Sequence, residues 1–115
     1  LSICTNKPTH LATALIEALG WQDRFAAIIG ATSVATPKPH ADHVFATLAA
    51  AGGEAATAAF VGDSATDVGA ARNAGLPVVL VSFGFTDRPA HELGGDVVID
   101  HYDALLPALR GLRPW

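Results

Sequence analysis

Short apolar runs alternate along the chain with stretches of four-residue apolar spacing, and glycine, proline or a polar cluster closes each one. Leu1-Ser2-Ile3-Cys4 predicts a strand that passes into the loop Thr5-Asn6-Lys7-Pro8. Pro8 suits the first turn of a helix, where a missing N–H costs nothing. Leu11, Leu15 and Leu19, with Ala14 and Ala18 beside them, carry that helix to Gly20. Phe25–Ile29 predicts a second strand, closed by Gly30. A polar loop with Pro37 and Pro39 leads to a helix with an apolar face of Val44, Phe45 and Leu48, ending at Gly52-Gly53. Ala58–Val61 predicts a third strand, and a helix of small residues from about Ala65 to Ala74 stops at Gly75. Pro77–Ser82 holds four consecutive aliphatic residues, the mark of a strand covered on both faces. A loop over Phe83–Pro89 and a short helix at His91–Leu93 precede a last strand at Val97–Ile99. Helical spacing returns from Tyr102 to Leu109, where Pro107 is tolerated only near the first turn.

Five alternations of strand and helix predict an α/β fold with a mostly parallel sheet, formed by residues 1–115 as a single domain. Composition narrows the classes. Half of the 115 residues are hydrophobic and 16% are charged, which excludes a disordered tail. No apolar run is long enough to span a membrane, and no basic segment precedes an apolar stretch as in a secretory signal. The single cysteine, Cys4, rules out an intrachain disulfide and makes a reducing cytoplasm the simplest setting. At the end of an apolar run it reads as a small hydrophobe. A net charge of −4 speaks against a nucleic-acid partner. Lysine is scarce: the chain has only Lys7 and Lys38, each beside proline.

In an open parallel sheet, ligands bind beyond the carboxyl ends of the strands. Three polar clusters fall there: Thr5-Asn6-Lys7, then Lys38, then Asp63 to Asp67. A hydroxyl, loop N–H groups, an ammonium and two carboxylates on one rim suit a phosphate with Mg²⁺. Each member also has a plainer reading. Ser64-Ala65-Thr66-Asp67 has the spacing of a capping box, Asp63 is a loop aspartate, and Gly62 supplies a permissive backbone. Thr5 and Asn6 suit a turn, and Lys38 between prolines suits a solvated loop. Among the histidines, His40 and His43 stand three apart at a helix start with no third ligand for zinc. His10 and His40 read as surface or capping residues near the same rim.

Together these residues resemble the haloacid dehalogenase superfamily, most closely its phosphoglycolate phosphatase-like members. Ile3-Cys4-Thr5-Asn6-Lys7-Pro8 looks like the second of that superfamily's four motifs, and Pro37-Lys38-Pro39 like the third. Gly62-Asp63-Ser64-Ala65-Thr66-Asp67 looks like the fourth. The resemblance implies a Rossmann-like three-layer core that transfers a phosphoryl group through a phosphoaspartate intermediate, as a phosphatase of small phosphorylated metabolites. Thr5 would hydrogen-bond the phosphoryl group, Asn6 would offer its backbone N–H, and Lys38 would stabilise charge on the nucleophile and the phosphate. Asp63 would ligate Mg²⁺, and Asp67 would complete or orient that site. A phosphomutase or a dehalogenase of the same superfamily is the alternative within enzymes; a non-catalytic binding module is the alternative outside them.

The resemblance breaks at one point. The family's first motif, an apolar strand ending in D-x-D-G-T/V with the nucleophile, is absent, and so is its cap domain. Asp100 alone of the eight aspartates follows a clean apolar run, and His101-Tyr102-Asp103 does not continue the motif. The expectation is the C-terminal portion of a larger phosphatase, inactive by itself. Its central strand would come from an N-terminal segment of a parent chain or from a second copy. Without that strand, the strands ending at Thr5 and Val61 would expose edges or pair with each other.

Overall fold

In the computed structural model, which describes residues 1–84 and 86–112, the chain runs β1 (Ser2–Cys4), α1 (Thr9–Ala18), β2 (Ala27–Ile29) and α2 (Ala41–Ala51). It continues with β3 (Phe60–Gly62), α3 (Ala65–Ala74), β4 (Val78–Val81), β5 (Val97–Ile99) and α4 (Leu105–Leu112). Trp115 lies outside the described residues. Pro107 sits in the first turn of α4, where its ring costs no helical hydrogen bond. Left-handed glycines close α2 and α3, Gly52 at φ 71° and Gly75 at φ 75°.

Among the described residues every strand pairing is parallel, in two sheets of order β1-β2 and β3-β4-β5. β4 is the centre of the larger sheet, and all four of its residues are buried. Strand alternation sends Val78 and Leu80 into one core with Val68, Ala70 and Ala71 of α3 and Val44 of α2. It sends Val79 and Val81 to the opposite face, with Ile99 of β5 and Leu105 and Leu109 of α4. Helices therefore cover both faces, as the aliphatic run predicts. α2 packs on β1, β2 and α3 and so joins the two sheets.

β1 and β3 do not pair. A cleft of about 600 Å³ lies between them, lined by all of β1, by Ala58–Val61, and by Val44, Thr47 and Leu48 of α2. Of the two outcomes expected for these strands, the exposed edges are the one observed.

Two helical faces differ from the sequence reading. In α1 the buried residues are Ala12 and Ile16, while Leu11, Leu15 and Leu19 remain nearly half exposed. The helix rests on the narrow surface of a two-stranded sheet, which covers one stripe and leaves the leucines on its shoulder. In α2 the buried set is His43, Val44 and Thr47, and Phe45 is 45% exposed. At 100° per residue, Phe45 points away from the stripe that 43, 44 and 47 share.

Candidate active site

The three polar clusters converge at the carboxyl ends of β1, β2 and β3. The closest contact is between Lys38 and Asp67: Nζ lies 2.7 Å from Oδ1, and each side chain is only 9% exposed. The ammonium also stands over the Phe60 ring, 5.3 Å from its centroid. Lys38 is thus held inside the fold, and the solvated-loop reading fails.

Asp67 serves two ends at once. Its Oδ2 accepts the backbone N–H of Asp63 at 2.9 Å and of Ser64 at 3.2 Å, together with the Ser64 hydroxyl at 3.2 Å. Ser64 Oγ accepts the Asp67 N–H in return, which completes the capping box of α3. The cap and the site use the same carboxylate, one oxygen for each. Burial would push the Asp67 carboxyl up, but the Lys38 ammonium and the Asp63 N–H outweigh it and hold it below the usual 3.8. The pair is therefore ionic at neutral pH.

The glycines around these carboxylates have a steric role. A Cβ on Gly62 would collide with the Asp67 side chain, and one on Gly84, in the loop after β4, with the Asp63 side chain. The chain can approach both aspartates only where no side chain intervenes. Gly84 was not recognised from sequence, because it lies outside every motif.

Asn6 reaches across to this cluster, its Nδ2 donating to the Lys38 carbonyl at 3.0 Å. The backbone N–H of Lys38 donates to Nδ1 of His43 at 3.1 Å, and Asn73 of α3 donates to the Pro39 carbonyl at 2.8 Å. The Lys38–Pro39 peptide bond is cis. Thr5 keeps its hydroxyl at the rim, where it accepts the Lys7 N–H at 3.1 Å in a local turn. Lys7 is exposed, and its carbonyl accepts the N–H of Ala31. His40 caps α2 by accepting the Asp42 N–H, as its position suggests. Cys4 lines the cleft, and burial pushes its thiol up, which suits a packing residue rather than a nucleophile.

The sequence reading weighed His43 only as half of a zinc pair with His40, and it did not single out Asn73. The signal for His43 was a polar residue on the stripe that carries Val44 and Thr47, where an aliphatic side chain would ordinarily sit. Among the described residues, no group of three or more His, Cys, Asp or Glu side chains is arranged to hold a metal ion.

Comparison with known proteins places this geometry in context. The model of the family described as haloacid dehalogenase-like hydrolase matches residues 1–81. A phosphoglycolate phosphatase of Caulobacter vibrioides is 48% identical over 102 residues, covering 89% of this chain and 43% of the relative. One from Mesorhizobium japonicum is 50% identical over 105 residues, with 91% and 46% covered. The crystal structure of a predicted phosphoglycolate phosphatase from Haemophilus somnus superimposes with a TM-score of 0.87 at 29% identity, covering 94% of this chain and 48% of that one. The chain spans about half the length of the curated relatives it matches.

Proposed function

The chain belongs to the haloacid dehalogenase-like hydrolases, and from that premise we propose that it is the core portion of a Mg²⁺-dependent phosphatase acting on small phosphorylated metabolites. Phosphoglycolate is the leading substrate, after the names of the relatives. The observation that carries this reading is the buried Lys38–Asp67 pair at the rim shared by Thr5, Asn6 and Asp63. Phosphoryl transfer is mainly positioning and electrostatic stabilisation, and this rim supplies both.

In this reading the Thr5 hydroxyl and the Asn6 backbone N–H take phosphoryl oxygens. Lys38 neutralises charge on the transferring group. Asp67 aims the Lys38 ammonium and fastens the start of α3. Asp63 offers a hard carboxylate to Mg²⁺, an ion that takes one or two carboxylates and completes its shell with phosphate and water. The donor set therefore fits. When bound, the ion supplies further charge neutralisation at the phosphate.

The nucleophilic carboxylate is not in this chain. We assign its strand to the cleft between β1 and β3, where two parallel edges face each other across about 600 Å³. A parallel strand there would join both sheets into one and make residues 1–115 half of a larger core. The relatives are long enough to contain such a segment. The same reading sets the protein in the cytoplasm; among the described residues no helix is long and apolar enough to cross a membrane.

The test is complementation. The chain by itself is expected to show no turnover, and addition of a segment bearing an apolar strand ending in D-x-D-G-T should restore Mg²⁺-dependent hydrolysis of phosphoglycolate. Asp63→Asn should abolish the restored activity. Metal-dependent hydrolysis by the unassisted chain would overturn the assignment of the missing strand.

A further inference from the structure

Lys38 stands between two prolines, and neither has an N–H with which to anchor the loop. Side chains hold it instead, and one of them differs from the others in its surroundings. The His43 ring is fully buried, 0% exposed, and both of its nitrogens are engaged. Nδ1 accepts the backbone N–H of Lys38 at 3.1 Å. Nε2 lies 2.8 Å from the Ile29 carbonyl, which can only accept, so the ring is the neutral tautomer with its proton on Nε2. That carbonyl, at the end of β2, also accepts the N–H of Thr5 at 3.1 Å. One imidazole thus links the Lys38 backbone to the strand end from which the Thr5 loop is hung.

We propose that His43 is a positioning residue: it fixes the Lys38 backbone relative to the Thr5 loop, so that the ammonium meets Asp67 and the phosphoryl group together. The inference rests on the phosphatase reading and adds to it a residue outside all the motifs. Its energetic logic is geometric. A lysine reaches through four methylenes, and a loop shifted by an ångström moves the ammonium off a target that tolerates little displacement. A hydrocarbon side chain of similar volume would fill the same space and leave the Lys38 N–H without a partner.

The two bonds can be removed separately. In His43→Asn the amide oxygen sits near the place of Nδ1 and retains an acceptor for Lys38. In His43→Gln the amide nitrogen sits near the place of Nε2 and retains the donor to Ile29. His43→Leu removes both. Each variant is to be assayed in the enzyme assembled with its nucleophile-bearing segment, with thermal unfolding alongside. The expected result is a kcat lowered about ten- to a hundredfold in His43→Gln and His43→Leu, with His43→Asn restoring most of it. A kcat that follows the unfolding temperature through all three variants, whichever bond is kept, overturns the proposal.

Two further readouts separate this inference from the phosphatase reading. In the wild-type chain, a scalar coupling across the hydrogen bond from the Lys38 amide nitrogen to Nδ1 of His43 is expected in NMR spectra; a ring protonated on Nδ1 overturns the proposal. If the assembled enzyme hydrolyses no phosphomonoester, the phosphatase reading fails, and His43 is then judged by titration of the chain with inorganic phosphate. Weaker phosphate binding in His43→Gln and His43→Leu but not in His43→Asn supports the positioning role, and equal binding in all three refutes it.

Discussion

The two sheets are built from similar apolar runs and reach different states of burial. Val78, Val79 and Leu80 of β4 are wholly buried, whereas every residue of β1 and β2 is only partly so. β4 has a strand on each side and helices over both faces; β1 has one partner, and its other edge opens on the cleft. An aliphatic run is therefore not enough to bury a strand. Its neighbours on both edges and both faces decide how much apolar area leaves water, at roughly 25 cal/mol per Å². β4 is a finished core strand, whereas β1, like the edge of β3 that faces it, borders a surface shaped for something more.

The contrast is sharpest in a pair of truncations. Leu80→Ala removes a fully buried side chain and should cost about 3 to 4 kcal/mol, whereas Ile3→Ala, on the cleft, should cost about 1 kcal/mol. Urea denaturation measures both, and equal costs would break the comparison. Filling the cleft with the complementing segment should raise the cost of Ile3→Ala toward that of Leu80→Ala.

A smaller effect is expected at the charged link between the halves. Asp67→Asn strands the buried Lys38 ammonium and should cost about 2 to 3 kcal/mol, the small exposed fraction easing the penalty for a broken buried pair. The carboxyl is held below its usual value in the folded chain, so its contribution is full above pH 3.8, the ordinary aspartate value. It declines as the pH falls through the lower folded-state value. The stability gap between wild type and Asp67→Asn should narrow on acidification; a gap that is constant in acid, or that widens, contradicts the ionic pair.

The smallest effect belongs to the larger sheet's surface. Arg72 donates to Asp96 at 2.9 Å and to the Gly94 carbonyl at 2.9 Å, and Asp96 also accepts the Val78 N–H. The Arg72 guanidinium, with some help from Val78, holds the Asp96 carboxyl below its usual range. Both side chains are substantially exposed, so water and salt screen the pair. Asp96→Asn should cost below about 1 kcal/mol, with the loss reduced in high salt.

Much of this arrangement was legible beforehand where the signal is local. The bounds of α3 follow from Ser64, Asp67 and Gly75, which cap it at either end. The burial of β4 follows from four adjacent aliphatics, and the rim follows from polar residues that succeed strands. The less legible parts depend on which surface meets a helix. Nothing in the spacing of Leu11, Leu15 and Leu19 tells that Ala12 and Ile16 face the sheet, because both stripes are apolar. Nothing in the local pattern marks Asn73 as a companion of Lys38 or Gly84 as one of Asp63, because each reaches the site through packing between separate elements; His43, five residues from Lys38, shows only as a polar residue on an apolar stripe.

What the sequence by itself determined is the order of parallel-sheet units, the capping of α3 and the residue types at the rim. These rest on interactions between residues a few positions apart, whose energies do not depend on the rest of the chain. Tertiary structure alone decided that Asp67 divides its two oxygens between a helix cap and Lys38, that a buried imidazole holds the lysine's backbone, and that β1 and β3 stand apart. Those outcomes depend on how separate elements pack, which buries His43 five residues from Lys38 and sets Lys38 beside Asp67, twenty-nine residues on; there burial and geometry select one partner from several of the same chemistry.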